Sequence, residues 1–354
     1  YMNTLWFRGL FVVFLIITAS FGLVYAAETR TITDMDGRTV TVPVEIDAIL
    51  GTSPPTTEAV YLLDPDVLVG LNFAFNNTKY VPAKYASLPN VGGQQMGATL
   101  NYETFLSMNP DIVLYGSSPG TNVSSTIDDI QTKLNPIPVV GVIDSTNAKN
   151  YGPEITFLGD LLDKKDKAAE LNAFYDTVYQ TVTSKVASIP DEKKVRVYYA
   201  EGPDGLKTDP EVSDHAQLIA ICGGKIVADV KEKSGGGMTP ISMEQVVSWN
   251  PDLILAGDSK FYQSVLTDPN WKDITAVKNK QVFLIPNQPF GWIDRPPGVN
   301  RIIGIPWLAK VLYPDQFTDM DLSALIKEFY SKFYHYDLSE DEVTDIITNS
   351  GLNR

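Results

Sequence analysis

Short apolar runs recur along the chain, each bounded by turn-forming residues. In the first half they fall at 47–51 (DAILG), 67–71 (VLVGL), 111–116 (DIVLYG) and 137–142 (IPVVGV). In the second half they fall at 195–202 (VRVYYAEG), 225–230 (KIVADV), 252–257 (DLILAG) and 281–286 (QVFLIP). Each is too short for a helix and reads as a buried strand, and helical patterns lie between them. Such alternation predicts mostly parallel sheets in an α/β fold. Residues 31–44 alternate polar and apolar around Asp36-Gly37, the pattern of a β-hairpin. Between the two sets of strands the period changes. Residues 151–162 form a short amphipathic helix. A second helix runs from Asp163, as cap, to Ile189 before Pro190, with Asp166 at the capping-box position. Ala168, Leu171, Tyr175, Val178, Val182 and Val186 lie on one face of it. Its length corresponds to roughly 37 Å of rod. The end of the chain is helical.

The halves are related. Residues 102–116 (YETFLSMNPDIVLYG) and 243–257 (MEQVVSWNPDLILAG) share seven of fifteen positions in register. Each segment predicts a helix, an Asn-Pro-Asp corner and a strand ending in Gly. A duplicated α/β unit on either side of a rod implies two lobes facing one cleft. Boundaries follow: an N-terminal lobe at 27–150, connecting helices at 151–190, and a C-terminal lobe at 191–354. In open α/β sheets, ligands sit beyond the carboxyl ends of the strands.

Composition narrows the function. The 354 residues are 44% hydrophobic, enough for a core, and carry a formal charge of −15. That charge repels phosphate backbones, so nucleic acid is excluded as a partner. Cys222 is the sole cysteine, and His215 and His335 are the two histidines. Disulfides, Cys-rich zinc sites and His-cluster metal sites are excluded, and no resident metal or cofactor is expected. Arg8, an apolar stretch, and Val24 and Ala26 describe an export signal over 1–26, cut after Ala26. The rival is an uncleaved anchor. No cysteine near the cut offers a lipid attachment. The mature chain therefore works outside the cytoplasmic membrane, where the sequons at Asn76 and Asn122 are open to glycosylation. Catalytic signatures (G-x-S-x-G, H-E-x-x-H, a Walker loop) are missing, which argues against an exported hydrolase or chelatase on the same scaffold.

Taken together, the D-x-x-G-R-x-V-x-V-P hairpin (34–43), S-P-P-T-T-E (53–58), L-P-N-V-G (88–92), the twin N-P-D strands and the linking helix resemble the iron-siderophore/cobalamin class of solute-binding proteins of ABC importers. The resemblance covers nearly the whole mature chain. It implies two Rossmann-like lobes joined by one rigid helix with limited hinge motion. It further implies a monomeric receptor that hands a ferric siderophore, haem or corrinoid to a permease dimer, or, as in some relatives, a bare oxyanion such as molybdate or tungstate.

The strand-end loops supply the candidate site. Ser53, Thr56 and Thr57 open a helix whose free N–H groups would face the cleft, and Gln94 and Gln95 lie in the 92–100 loop. Lys207 sits in an exposed turn, His215 in the first turn of a helix capped by Ser213, and Tyr262 is a phenol donor. Phe290, Trp292 and Arg295 share a loop stiffened by Pro296-Pro297. A ring beside a fixed guanidinium suits an anionic ligand or metal chelate, although Arg295 can equally pair with Asp294 or a neighbouring carboxylate. An anion receptor this acidic should keep its cleft as a positive island. Glu103 and Glu244 occupy equivalent places in the repeat. The resemblance implies that such a pair docks on arginines of the permease.

Overall fold

The computed structural model describes residues 28–94, 99–234 and 236–352. The export signal and Gln95 lie outside them. The strands are β1 (Thr29–Thr33), β2 (Thr39–Pro43), β3 (Ile49–Gly51), β4 (Ile112–Ser117), β5 (Val139–Ile143), β6 (Arg196–Ala200), β7 (Lys207–Thr208), β8 (Lys225–Ile226), β9 (Thr239–Pro240), β10 (Leu253–Ala256) and β11 (Val282–Leu284). The first lobe carries the parallel sheet β3-β4-β5 and the second the parallel sheet β11-β10-β6-β8. Their central strands are buried on both faces, which is why they read as continuous apolar runs.

The hairpin β1-β2 is antiparallel. Asp34 organises it, accepting from the backbone N–H groups of Asp36, Arg38 and Gly141 and pairing with Arg38 at 2.9 Å. The run 67–71 is no strand. Only isolated bridges tie Leu68 to Ile49 and Leu71 to Asn90, because a 3-10 turn at Pro65–Val67 bends the chain across the sheet edge. The run 225–230 pairs only at its first two residues.

The repeat is physical. The helices Tyr102–Met108 and Met243–Trp249 are capped by Asn101 and Ser242, and both end on a left-handed asparagine, Asn109 (φ 45°) and Asn250 (φ 42°). Asparagine tolerates that conformation, and the proline that follows cannot continue the helix. Each corner feeds the central strand of its sheet, β4 or β10.

The linking helix spans Lys165–Val186, roughly 33 Å. Asp163 does not cap it. That residue is left-handed (φ 55°), and Lys164 precedes the helix without a side-chain cap. The predicted apolar face is the buried one, with Phe174 added. It packs on Gly152–Leu161, closely enough that a side chain at Gly159 would strike Ala168. The terminal helices return to the first lobe. Tyr334 and His335 accept from and bond to the Tyr61 hydroxyl and carbonyl respectively, and Tyr61, Phe290, Tyr330 and Tyr334 form one aromatic cluster. The lobes therefore share a continuous apolar core. Among the described residues, no helix is long and apolar enough to cross a membrane.

Candidate functional site

A cleft opens beyond the carboxyl ends of β6 and β10, between the second lobe and the 73–76 loop of the first. A cavity of about 320 Å³ is lined by Asn76, Tyr199, Glu201, Lys207, Asn287 and Arg295, among others. A neighbouring cavity of about 230 Å³ shares Asn76 and Arg295 and adds Phe73, His215, Phe290 and the Pro296-Pro297 pair. Asn76 straps the lobes across this region. Its side-chain amide donates to Asn287 O at 2.9 Å and its backbone N–H to Pro289 O at 3.2 Å.

Arg295 is the centre of the cleft. It is a non-glycine residue at φ 59°, a conformation that persists only where surroundings impose it. Here they do: its Nε and Nη2 donate to Glu201 Oε1 at 3.1 and 2.6 Å, and its Nη1 donates to Gly236 O at 3.2 Å. Asp209 and Asp294 stand 3.5 Å from the same guanidinium. The backbone at Gly237 (φ 69°) hugs Asp209 so closely that any β-carbon there would collide with its carboxyl.

His215 Nδ1 lies 2.6 Å from Asp294 Oδ1. Burial works against its charged form, but the bond to Asp294 wins and holds the imidazole above its ordinary value. Tyr199 donates to the other Asp294 oxygen at 3.2 Å, and burial drives its phenol far above the usual range. Burial also pushes Glu201 up to about 8, with Arg295 opposing. Asp209, His215 and Asp294 bring ligand-type atoms within 4.8 Å of one another. The Arg295 guanidinium already supplies the cation that they face.

The structure thus brings Lys207, His215, Phe290 and Arg295 to the cleft and leaves other predicted residues elsewhere. Ser53 caps the helix Pro54–Leu63, but its hydroxyl donates to Asp144 at 2.9 Å, and Thr56 bonds the same carboxyl. Thr56 and Thr57 are fully buried. That helix start already faces an acid of the protein, so it is no open anion nest. Trp292 is fully buried against Trp307 and Tyr330. Tyr262 faces the C-terminal Gly351. Gln94 is half-buried and donates its backbone N–H to Thr52 O at 2.7 Å. His215 sits in a turn ahead of the helix Gln217–Ile221, with Ser213 accepting from its N–H at 3.2 Å. Lys207 belongs to a short strand. The expected positive island is also corrected: Glu201, Asp209 and Asp294 surround the one guanidinium.

Asp209 and Asn287 carried no sequence signal. Asn76 was singled out only as a sequon, not as part of the site. Arg301 could have been found as a charge inside an apolar run. It is fully buried and bridges the lobes behind the cleft, donating to Thr146 O and Asp214 O at 2.6 Å and to the Tyr151 hydroxyl at 2.9 Å. Glu103 and Glu244 are exposed in the first turns of the twin helices. Each helix doubles back through its corner into a strand, which puts that first turn at the strand's carboxyl end, the edge where the cleft opens.

Comparison with known proteins places this geometry. The chain is 28% identical to the molybdate-binding protein MolA of Haemophilus influenzae over 89% of its length and 94% of that protein. It is 28% identical to the haem uptake protein IsdE of Staphylococcus aureus over 60% of its length and 71% of that protein. A solute-binding protein structure from Sulfurospirillum deleyianum superposes with a TM-score of 0.82 at 30% identity, covering 90% of this chain and 99% of that one. Residues 73–289 match the periplasmic binding protein family. The chain belongs to that family, the non-enzymatic substrate-binding receptors of ABC transporters.

Proposed function

We propose that this receptor works outside the cytoplasmic membrane, after export on its 1–26 leader, and captures a small oxyanion of the molybdate and tungstate kind. One observation carries the ligand reading. Arg295, Lys207 and Asn76 line one cavity of about 320 Å³, at the small end of ligand pockets. The withdrawal of Trp292 into the core removes an aromatic wall that a bulky chelate would use. The long match to a molybdate-binding relative agrees with this. A second reading, a ferric siderophore, haem or corrinoid, is favoured by the adjoining wall of Phe73, Phe290, Pro296 and Pro297.

Thermal-shift titration separates the two. A ligand at 100 times its dissociation constant adds ~2.7 kcal/mol. Molybdate or tungstate should raise the melting temperature, and ferric chelates, haem and cobalamin should not. The reverse result would establish the second reading. Arg295→Ala should weaken oxyanion binding by roughly 10- to 100-fold, the worth of a charge-assisted hydrogen bond. Unchanged affinity would move the site away from Arg295.

The permease is the proposed partner, met through Glu103 and Glu244. Leu106 and Val247 hold equivalent positions one turn later and are two of the five large apolar side chains exposed among the described residues. Each lobe thus offers an acid and an apolar contact on one helix face. Glu103→Arg with Glu244→Arg should cut uptake at least tenfold (roughly 1.4 kcal/mol) while leaving ligand affinity intact. Normal uptake by the double variant would remove these residues from docking.

A further inference from the structure

The cleft holds more acid than an anion receptor can use in ionised form. Glu201, Asp209 and Asp294 are each at most 3% exposed. Arg295 Nη2 lies 2.6 Å from Glu201 Oε1 and 3.5 Å from Asp209 Oδ2, so two carboxyls converge on one nitrogen. Asp209 uses its oxygens on Ser213 Oγ (3.2 Å) and the Met238 N–H (3.3 Å). Glu201 Oε1 receives both Arg295 donors, but Oε2 is buried with no donor among the described residues. The side chain forms part of the cavity wall. A buried carboxylate oxygen without a donor is costly. The same oxygen carrying a hydrogen becomes a donor itself, and the Asp209 carboxyl, which meets the same Arg295 nitrogen, can accept it.

We propose that Glu201 carries a proton on Oε2, held against Asp209, and that this proton is the condition on which the cleft accepts a fully ionised tetrahedral oxyanion. The role given to the proton rests on the oxyanion reading above. An ionised Glu201 would set a negative charge at the edge of the cavity and keep Arg295 fully engaged. As an acid it removes that charge and loosens its hold on the guanidinium.

The groups that face Glu201 agree. Arg295 and Asp294 come from the 286–297 loop, Asp209 from the segment after β7, and Tyr198 and Tyr199 from β6, which ends just before Glu201. Lys207 lines the same cavity, and His215 acts through Asp294. Arg295 favours the ionised form. Burial, which is the largest influence, opposes it together with Asp209 and Asp294. The carboxyl is pushed up to about 8, so affinity should fall as pH rises past that value, by about tenfold per pH unit.

Calorimetric titration with molybdate and tungstate between about pH 7 and pH 9.5 tests this. The wild-type protein should weaken about tenfold per unit above about pH 8. Glu201→Gln, neutral throughout, should change less than about threefold over the range and bind more tightly than wild type at about pH 9. His215→Gln should retain the alkaline fall. An equal fall in Glu201→Gln would overturn the assignment while leaving the oxyanion reading in place. A ligand-free arm uses infrared difference spectra of wild type minus Glu201→Gln. A protonated-carboxyl band should be present near neutral pH and vanish in alkali. Absence of the band overturns the proton, whatever binds. A clear band with no oxyanion bound at any pH overturns the oxyanion reading, and with it the role given to the proton.

Discussion

Arg301→Ala is expected to destabilise the protein by about 4 kcal/mol, among the larger effects a single substitution produces. The reason is where the charge sits. Arg301 is fully buried, and its partners are the carbonyls of Thr146 and Asp214 and the hydroxyl of Tyr151. Alanine would leave these groups without a donor and open a cavity between the lobes. It would also strip the neighbouring acids of their cation. Burial already drives Glu58 well above its ordinary value, Glu154 adds to that, and Arg301 is the influence opposing them. Arg301→Lys should recover less than half of the loss, since an ammonium cannot reach three acceptors with a planar fork. The substitution should also loosen ligand binding, because Asp214 immediately precedes His215. Urea denaturation with a parallel ligand titration checks both outcomes. A loss below about 1 kcal/mol would show that the bridge is structurally idle.

The second large effect is a fold that weakens in alkali. Burial raises Asp144 to about 7 and Glu154 and Glu201 to about 8, against ordinary values of 3.8 and 4.5. Between those limits the native state binds more protons than the unfolded chain, so stability falls as pH rises. The contribution is complete below about pH 4 and is lost progressively as pH climbs to the folded values near 7 and 8. Each proton is worth about 1.4 kcal/mol per pH unit, and since the acids share one another's field we take at least ~3 kcal/mol for the group. The exposed acids lowered by lysine partners, Asp66, Asp191 and Asp319, act in the opposite sense, but only as pH falls through the most acidic range. Melting should therefore drop by roughly 5–10 °C between about pH 5 and pH 9. A melting point that held steady or rose over that interval would mean the buried acids are ionised.

The architecture was legible because it rests on local rules. The apolar runs of β4, β5, β6 and β10, the amphipathic face of Lys165–Val186 and the twin Asn-Pro-Asp corners each follow from short-range patterning, and all stand where that patterning put them. The run 67–71 failed because an apolar segment can be buried without pairing. The site was half legible. Arg295 and His215 were visible as rare chemistry in Gly- and Pro-rich loops. Of their partners only Asp294, the neighbour of Arg295 in sequence, was visible; Asp209 and Glu201 are ordinary acids until the fold sets them around one guanidinium. Trp292 shows the converse limit: a tryptophan in a site loop points inward when the loop's own turn covers a core, and sequence does not tell the direction of a side chain in irregular backbone. Thr56 and Thr57 failed because Asp144, distant in sequence, packs against the helix start that they would have offered to a ligand.

The return of the terminal helices onto the first lobe sets how ligand can leave. Prising the lobes apart would wet Tyr61, Phe290, Tyr330 and Tyr334, all buried. At about 1.5–3 kcal/mol for each ring, that is on the order of 10 kcal/mol. A state that costly is populated about once in ten million molecules. Spontaneous release by wholesale opening would then be far too rare to compete with escape through the 73–76 and 286–297 loops, where the Asn76 strap can break a bond or two at a time. The receptor would hold its cargo as a stiff clamp with a small gate, and the work of emptying it would fall on whatever pulls that gate aside.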